Sequence, residues 1–168
     1  MSIVIERVTV ATPEIAAFIG AHHAEMDGTA PPESQHALPL DRLLAPRVRF
    51  FTGVLEGRIA ATGALAAVEG EHEELKSMRT DPAFRGRGFG RAMLRHLLDD
   101  AAARGIRRVS LETGRDAFFA PARAMYAAAG FREGLPFGSY LPDPHSAFLT
   151  LALPPASAAA PSRAIMNG

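Results

Sequence analysis

The chain has 168 residues, 48% of them hydrophobic, with 18 basic and 18 acidic side chains and a formal charge of zero. That length and hydrophobic share suit one domain with a real core, and the balanced charge argues against bulk electrostatic binding of nucleic acid or an anionic membrane, so any bound anion must be met locally. Cysteine is absent, which excludes disulfides, a thiolate nucleophile and Cys-based zinc sites.

The N-terminal MSIVIERVTV has no basic region followed by an apolar run, and no stretch of about 18 apolar residues occurs. A cytoplasmic protein without a membrane partner is expected. Ile3 to Val10 alternates as a strand, and Thr12-Pro13 supplies the N-cap and first helical position for PEIAAFIGAHHAEM. Asp27 to Leu40, with three prolines and a glycine, is a long loop, which favours a functional or mobile segment over a mere connection. A helical turn at LDRLLA follows. Three antiparallel strands are then expected at Arg47 to Leu55, Arg58 to Val68 and His72 to Thr80, joined by turns at Glu56-Gly57 and Glu69-Gly70.

GRAMLRHLLDDAAARG is the clearest helix. Met93, Leu94, Leu97, Leu98 and Ala101 form its apolar stripe, Arg95/Asp99 and Asp100/Arg104 are spaced i,i+4, and Gly105 ends it. RRVSLETG reads as a strand, PARAMYAAAGF as a helix stopped by Gly130, and HSAFLTLAL as a last strand. The expected fold is α/β, a mixed sheet with helices packed on it. Residues 1–153 form the expected single domain, and the Pro/Ala-rich residues 154–168 a mobile tail.

The stretch DPAFRGRGFGRAM, Asp81 to Met93, carries the chemistry. A helix N-terminus leaves backbone N–H groups unpartnered and holds about half a positive charge, so a loop that exposes it binds phosphate oxygens. Gly86, Gly88 and Gly90 let the backbone approach the anion, while Arg85, Arg87 and Arg91 add charge. A Walker loop needs GxxxxGK[ST], and the only lysine, Lys76, lies upstream of these glycines. A dinucleotide GxGxxG would need glycine where Arg91 stands. The pattern Q/RxxGxG/A is met by Arg85, Gly88 and Gly90.

With that pattern between a strand and a strongly amphipathic helix, the chain resembles the GNAT superfamily of N-acetyltransferases. The likeness runs in element order from Ile3 to Leu153 and is most specific from Glu73 to Phe131. APARAMYAAAGF supports it through Tyr126, Gly130 and Phe131. PPESQHAL, ELKSMRTDPAFRGRG, LETG and FGSYLPDPHSAF are similar to a group of small bacterial members whose acceptors are mostly unassigned. The resemblance implies a mostly antiparallel central sheet flanked by helices, and acetyl-CoA as cosubstrate. It further implies that Arg85, Gly86, Arg87, Gly88, Phe89, Gly90 and Arg91 hold the pyrophosphate through their amides. Met78, Arg79 and Thr80 would pair with the pantetheine arm, an N–H near Met78 facing the thioester oxygen.

Acetyl transfer to an amine needs a grip on coenzyme A, a polarised carbonyl, a neutral amine and a proton for the departing thiolate. Glu74 is the candidate base, at a position where several family members keep a catalytic Glu, and alternation is expected to put 74, 76 and 78 on one face. Tyr126 is the candidate acid, matching the family's Tyr that points at the sulfur. Phe119 stands where many members place an Asn that contacts the cofactor, a departure from the pattern. Glu33, His36 and Tyr140 are candidate acceptor contacts, beside Ser34, Asp143 and His145. No metal-ligand spacing is present. The expected partner is a small-molecule amine; the family also forms homodimers. A CoA-binding sensor or interaction module on the same fold is the alternative.

Overall fold

The computed structural model describes residues 2–155. The expected tail lies outside the described residues beyond Pro155. Strands β1 (Val4–Val8), β2 (Val48–Leu55), β3 (Arg58–Glu69), β4 (His72–Thr80), β5 (Arg108–Gly114), β6 (Arg132–Glu133) and β7 (Ser146–Ala152) form one sheet. Its order is β1-β2-β3-β4-β5-β7-β6. Every neighbouring pair is antiparallel except β4 and β5. Helices α1 (Pro13–Met26), α2 (Leu40–Leu43), α3 (Phe89–Ala103) and α4 (Ala120–Ala128) pack against it. The two-residue β6 makes the sheet end in two strands after α4; it is too short to carry an alternation signal.

Thr12 caps α1 through its side chain, accepting from the Ile15 N–H at 3.2 Å. Glu56 and Gly57 both have positive φ, 50° and 77°, the geometry that matches a two-residue hairpin to strand twist. On α3, Met93, Leu94, Leu97 and Ala101 are buried among Leu65, Leu75, Val109 and Leu111 of the sheet. Truncating one such Leu or Met to Ala costs about 2–5 kcal/mol. Of the two expected ion pairs on α3, Asp100–Arg104 forms, at 3.0 Å. Arg95–Asp99 does not form among the described residues. Arg104 reaches instead into the sheet, donating to both oxygens of buried Glu73 at 2.9 and 2.6 Å, and Arg49 of β2 grips Asp100 bidentately.

The feature that shapes the site is a bulge in β4. Lys76 pairs with Ala64 and Arg79 with Thr62, so Ser77 and Met78 together oppose Gly63 alone. Ser77 takes φ +54°, and the Thr62 hydroxyl donates to its carbonyl at 2.8 Å. The extra residue breaks the alternation. Glu74 and Lys76 stay on the face that meets Tyr140, whereas Met78 packs into the core beneath α3. The expected common face for 74, 76 and 78 is thereby corrected. Gly63 makes this possible: a Cβ there would stand 2.6 Å from Leu97 and 2.8 Å from the Met78 sulfur.

Candidate active site

Gly86 and Gly88 sit in the left-handed region, φ +78° and +82°, with nothing within 4 Å of where a Cβ would be. The loop therefore turns twice at little strain and keeps its outer side clear. Gly88 is the N-cap of α3 and supplies no side-chain cap. Among the described residues the amides of Gly86 to Arg91 have no acceptor within the protein. They form a set of free donors at the positive end of a four-turn helix. Gly90 has a different reason from the expected one: a Cβ there would meet the Thr80 hydroxyl at 3.1 Å. It lets the first turn of α3 close on the end of β4.

Phe89 is buried beside Phe84, so it offers the loop only its amide. The arginines are partly engaged. Arg85 donates to the Thr80 carbonyl at 3.2 Å and to Glu25 of α1 at 3.1 Å. Arg79 is buried, donates to the same Glu25 and stacks over Phe18. Burial works against ionisation of Glu25, but the Arg79 hydrogen bond and the charges of Arg79 and Arg85 outweigh it and hold its pKa below the ordinary range. Arg91 and Arg95 flank a groove of about 280 Å³ between α3 and α4, next to the loop.

Beyond the bulge the sheet opens. The β4–β5 ladder consists of His72–Arg108, Glu73–Val109 and Glu74–Ser110 and stops there, although β4 runs to Thr80 and β5 to Gly114. The strands part, and among the described residues the β5-facing edge of β4 from Leu75 to Thr80 has no partner strand. A cavity of about 120 Å³ occupies the opening. Its floor is Leu75 to Met78 and Leu111 to Gly114, and its sides are His22 and Met26 of α1, Ser34 to Ala37 of the long loop, and Phe119, Ala122 and Tyr126. Phe119 lies against Gly114, where a Cβ would come within 2.4 Å of the ring. It fills the end of the opening with an apolar wall.

The structure brings some expected residues to this cavity and leaves others out. Tyr126 lines it, its ring buried against Phe131. Among the described residues no buried side-chain polar atom lacks a partner, and the Tyr126 hydroxyl has none in the protein, so it reaches the open space. Burial raises the phenol's pKa, keeping it protonated. His36 lines the cavity and meets Tyr140 edge-on at 5.0 Å between ring centres. Glu33 is exposed and outside the lining, because the 3₁₀ turn Pro32–Ser34 turns it to solvent and buries Ser34. Glu74 is also outside the lining. Its Oε2 accepts from Lys76 Nζ at 3.2 Å and from the Tyr140 hydroxyl.

The carboxylate that does face the cavity is Glu112 of β5. Burial pushes its pKa up, against a hydrogen bond from Ser146 at 2.9 Å and the nearby charges of His36 and Lys76. The Ser146 bond fixes one oxygen. An acid two residues from buried Ser110 in the apolar strand RRVSLETG was the available sequence signal, but it did not show which face met a cavity. His22 lines the site as well, burial lowering its pKa to about 4, so it is neutral at physiological pH.

A family model described as the Acetyltransferase (GNAT) family matches residues 15–131. The chain belongs to this family. The uncharacterized N-acetyltransferase YedL of Escherichia coli is 43% identical over 142 residues, covering 84% of this chain and 89% of that protein. The [ribosomal protein bS18]-alanine N-acetyltransferase of E. coli is 30% identical over 148 residues, 87% and 97% of the two chains. A Bacillus subtilis acetyltransferase crystallised in complex with CoA shares the fold at TM-score 0.67 and 15% identity, over 90% of this GNAT chain and 99% of its own. The seven-stranded, mostly antiparallel sheet flanked by helices is the expected one. Family membership supports acetyl transfer as the general activity.

Proposed function

We propose that this GNAT protein moves an acetyl group from acetyl-CoA to the amine of a small molecule, by direct attack in a ternary complex with no covalent enzyme intermediate. The observation that carries the proposal is the row of free amides from Gly86 to Arg91 at the mouth of α3, next to an unpaired β4 edge. These features fit a pyrophosphate and an extended amide-bearing arm. The loop residues hold the pyrophosphate, and the edge from Met78 to Thr80 pairs with the pantetheine. When bound, acetyl-CoA supplies the thioester carbonyl and the thiolate leaving group.

Glu112 takes the proton from the attacking amine. Its raised pKa moves it toward neutrality, where a general base works best. Tyr126 donates its phenolic proton as charge develops on sulfur. Glu74, the base expected from the sequence, acts here as an anchor for Lys76 and Tyr140. The cavity of about 120 Å³ supports a small acceptor, even though the bS18 relative modifies a protein. Calorimetric titration with acetyl-CoA, followed by thiol release across a panel of amines, tests the reading. Binding with turnover is expected. Binding without turnover favours the sensor alternative, and absence of binding refutes the proposal.

A further inference from the structure

Lys76 is the only lysine in a chain whose other strong cations are all arginine, and it stands in the cavity wall. Its ammonium donates to Glu74 at 3.2 Å and to the Tyr140 oxygen at 3.0 Å. Neither partner lines the cavity, whereas Lys76 does. An ammonium has three donors. Among the described residues the third has no acceptor. The side chain is only 11% exposed, so bulk water is largely denied to it. Lys76 is thus braced from behind and left one hydrogen bond short on the side of the open space.

Glu112 lines the same cavity from the neighbouring strand, close enough that the charges of Lys76 and His36 act on it. A cation and a carboxylate therefore share one small chamber. We infer that the acceptor is an amino acid, an amine with a carboxylate on or next to the amine-bearing carbon; Lys76, assisted by His36, takes the carboxylate, and Glu112 faces the amine. This rests on the acetyl-transfer reading above and names its substrate class. A plain diamine meets only one complementary group and is repelled by Lys76. A peptide N-terminus carries an amide where Lys76 needs an anion. The cavity of about 120 Å³, several times the roughly 10–15 Å³ that one water needs on the same measure, has room for a small zwitterion's polar end.

The test uses wild-type protein, acetyl-CoA and matched acceptors: free α-amino acids, their carboxamides, short peptides and diamines, with thiol release as the readout. The best free acid is expected to exceed its own carboxamide in kcat/KM by about ten- to hundredfold, the range of a charge-assisted hydrogen bond. Lys76→Met raises KM for the acid by a similar factor and brings the ratio close to one; Lys76→Arg keeps part of it. If Lys76→Met fails to fold, the wild-type ratio and Lys76→Arg decide. Equal rates for acid and carboxamide, or turnover confined to peptides or diamines, overturn the inference and leave acetyl transfer standing. Failure to bind acetyl-CoA removes the parent reading instead.

Discussion

Replacing Gly88 by alanine separates the loop's conformational role from its binding role, provided a matched control is used. Gly88 has φ +82° and Gly57, in the β2–β3 turn, has φ +77°; neither has an atom within 4 Å of a new Cβ. Gly57→Ala and Gly88→Ala should therefore impose the same backbone strain, about 1–2 kcal/mol. For a chain this size that lowers Tm by about 2–8 °C in either variant. Only Gly88→Ala sets a methyl beside the free amides. Loss of one hydrogen bond to a charged group, about 1.5–3 kcal/mol, raises the Kd for CoA roughly ten- to hundredfold. Thermal unfolding with CoA at about 100 times the wild-type Kd reads both effects. Wild type and Gly57→Ala should each gain about 2.7 kcal/mol from the ligand, and Gly88→Ala only about 0.4–1.4 kcal/mol. Equal protection of the two variants would refute the phosphate-cradling role of the loop.

Tyr126→Phe should lower kcat about a hundredfold with the CoA affinity from calorimetry intact; an unchanged rate takes the phenol out of the reaction. As the proposed base, Glu112 would have to be deprotonated, and its pKa is raised, so kcat/KM should fall as pH drops through a value above the usual carboxylate value of about 4.3. Glu112→Gln should cost about a hundredfold or more and abolish that acidic limb, while Glu74→Gln keeps it; a limb that survives in Glu112→Gln assigns the base elsewhere. Gly63→Ala forces a Cβ to within 2.9 Å of Leu97, Met78 and Met93. It should cost about 1–3 kcal/mol, read as a lower Tm, and an unshifted Tm would mean that the bulge yields freely.

The elements that carry local signals were legible in the chain. The α3 stripe from Met93 to Ala101, the Thr12-Pro13 start of α1 and the Glu56-Gly57 turn each depend on neighbours within a few residues. So does the phosphate loop, because a left-handed φ at Gly86 and Gly88 is a property of the glycine itself. The resemblance built on that loop and on Tyr126 led to the family. What the sequence could not show was which side chains meet. Tyr140 reaches Glu74 across 66 residues, Arg79 reaches Glu25 across 54, and Arg104 reaches Glu73 across 31. Each pairing depends on strand register, and that of Arg79 also on the bulge at Ser77, which turns Met78 into the core while Lys76, just before it, stays at the cavity. A one-residue insertion in a strand reverses every later side chain, and its cause lay in packing, where Gly63 makes room beneath α3. Local chemistry thus determined the glycine loop with its free amides, whereas which carboxylate lines the cavity, Glu112 and not Glu74, was decided by tertiary register alone.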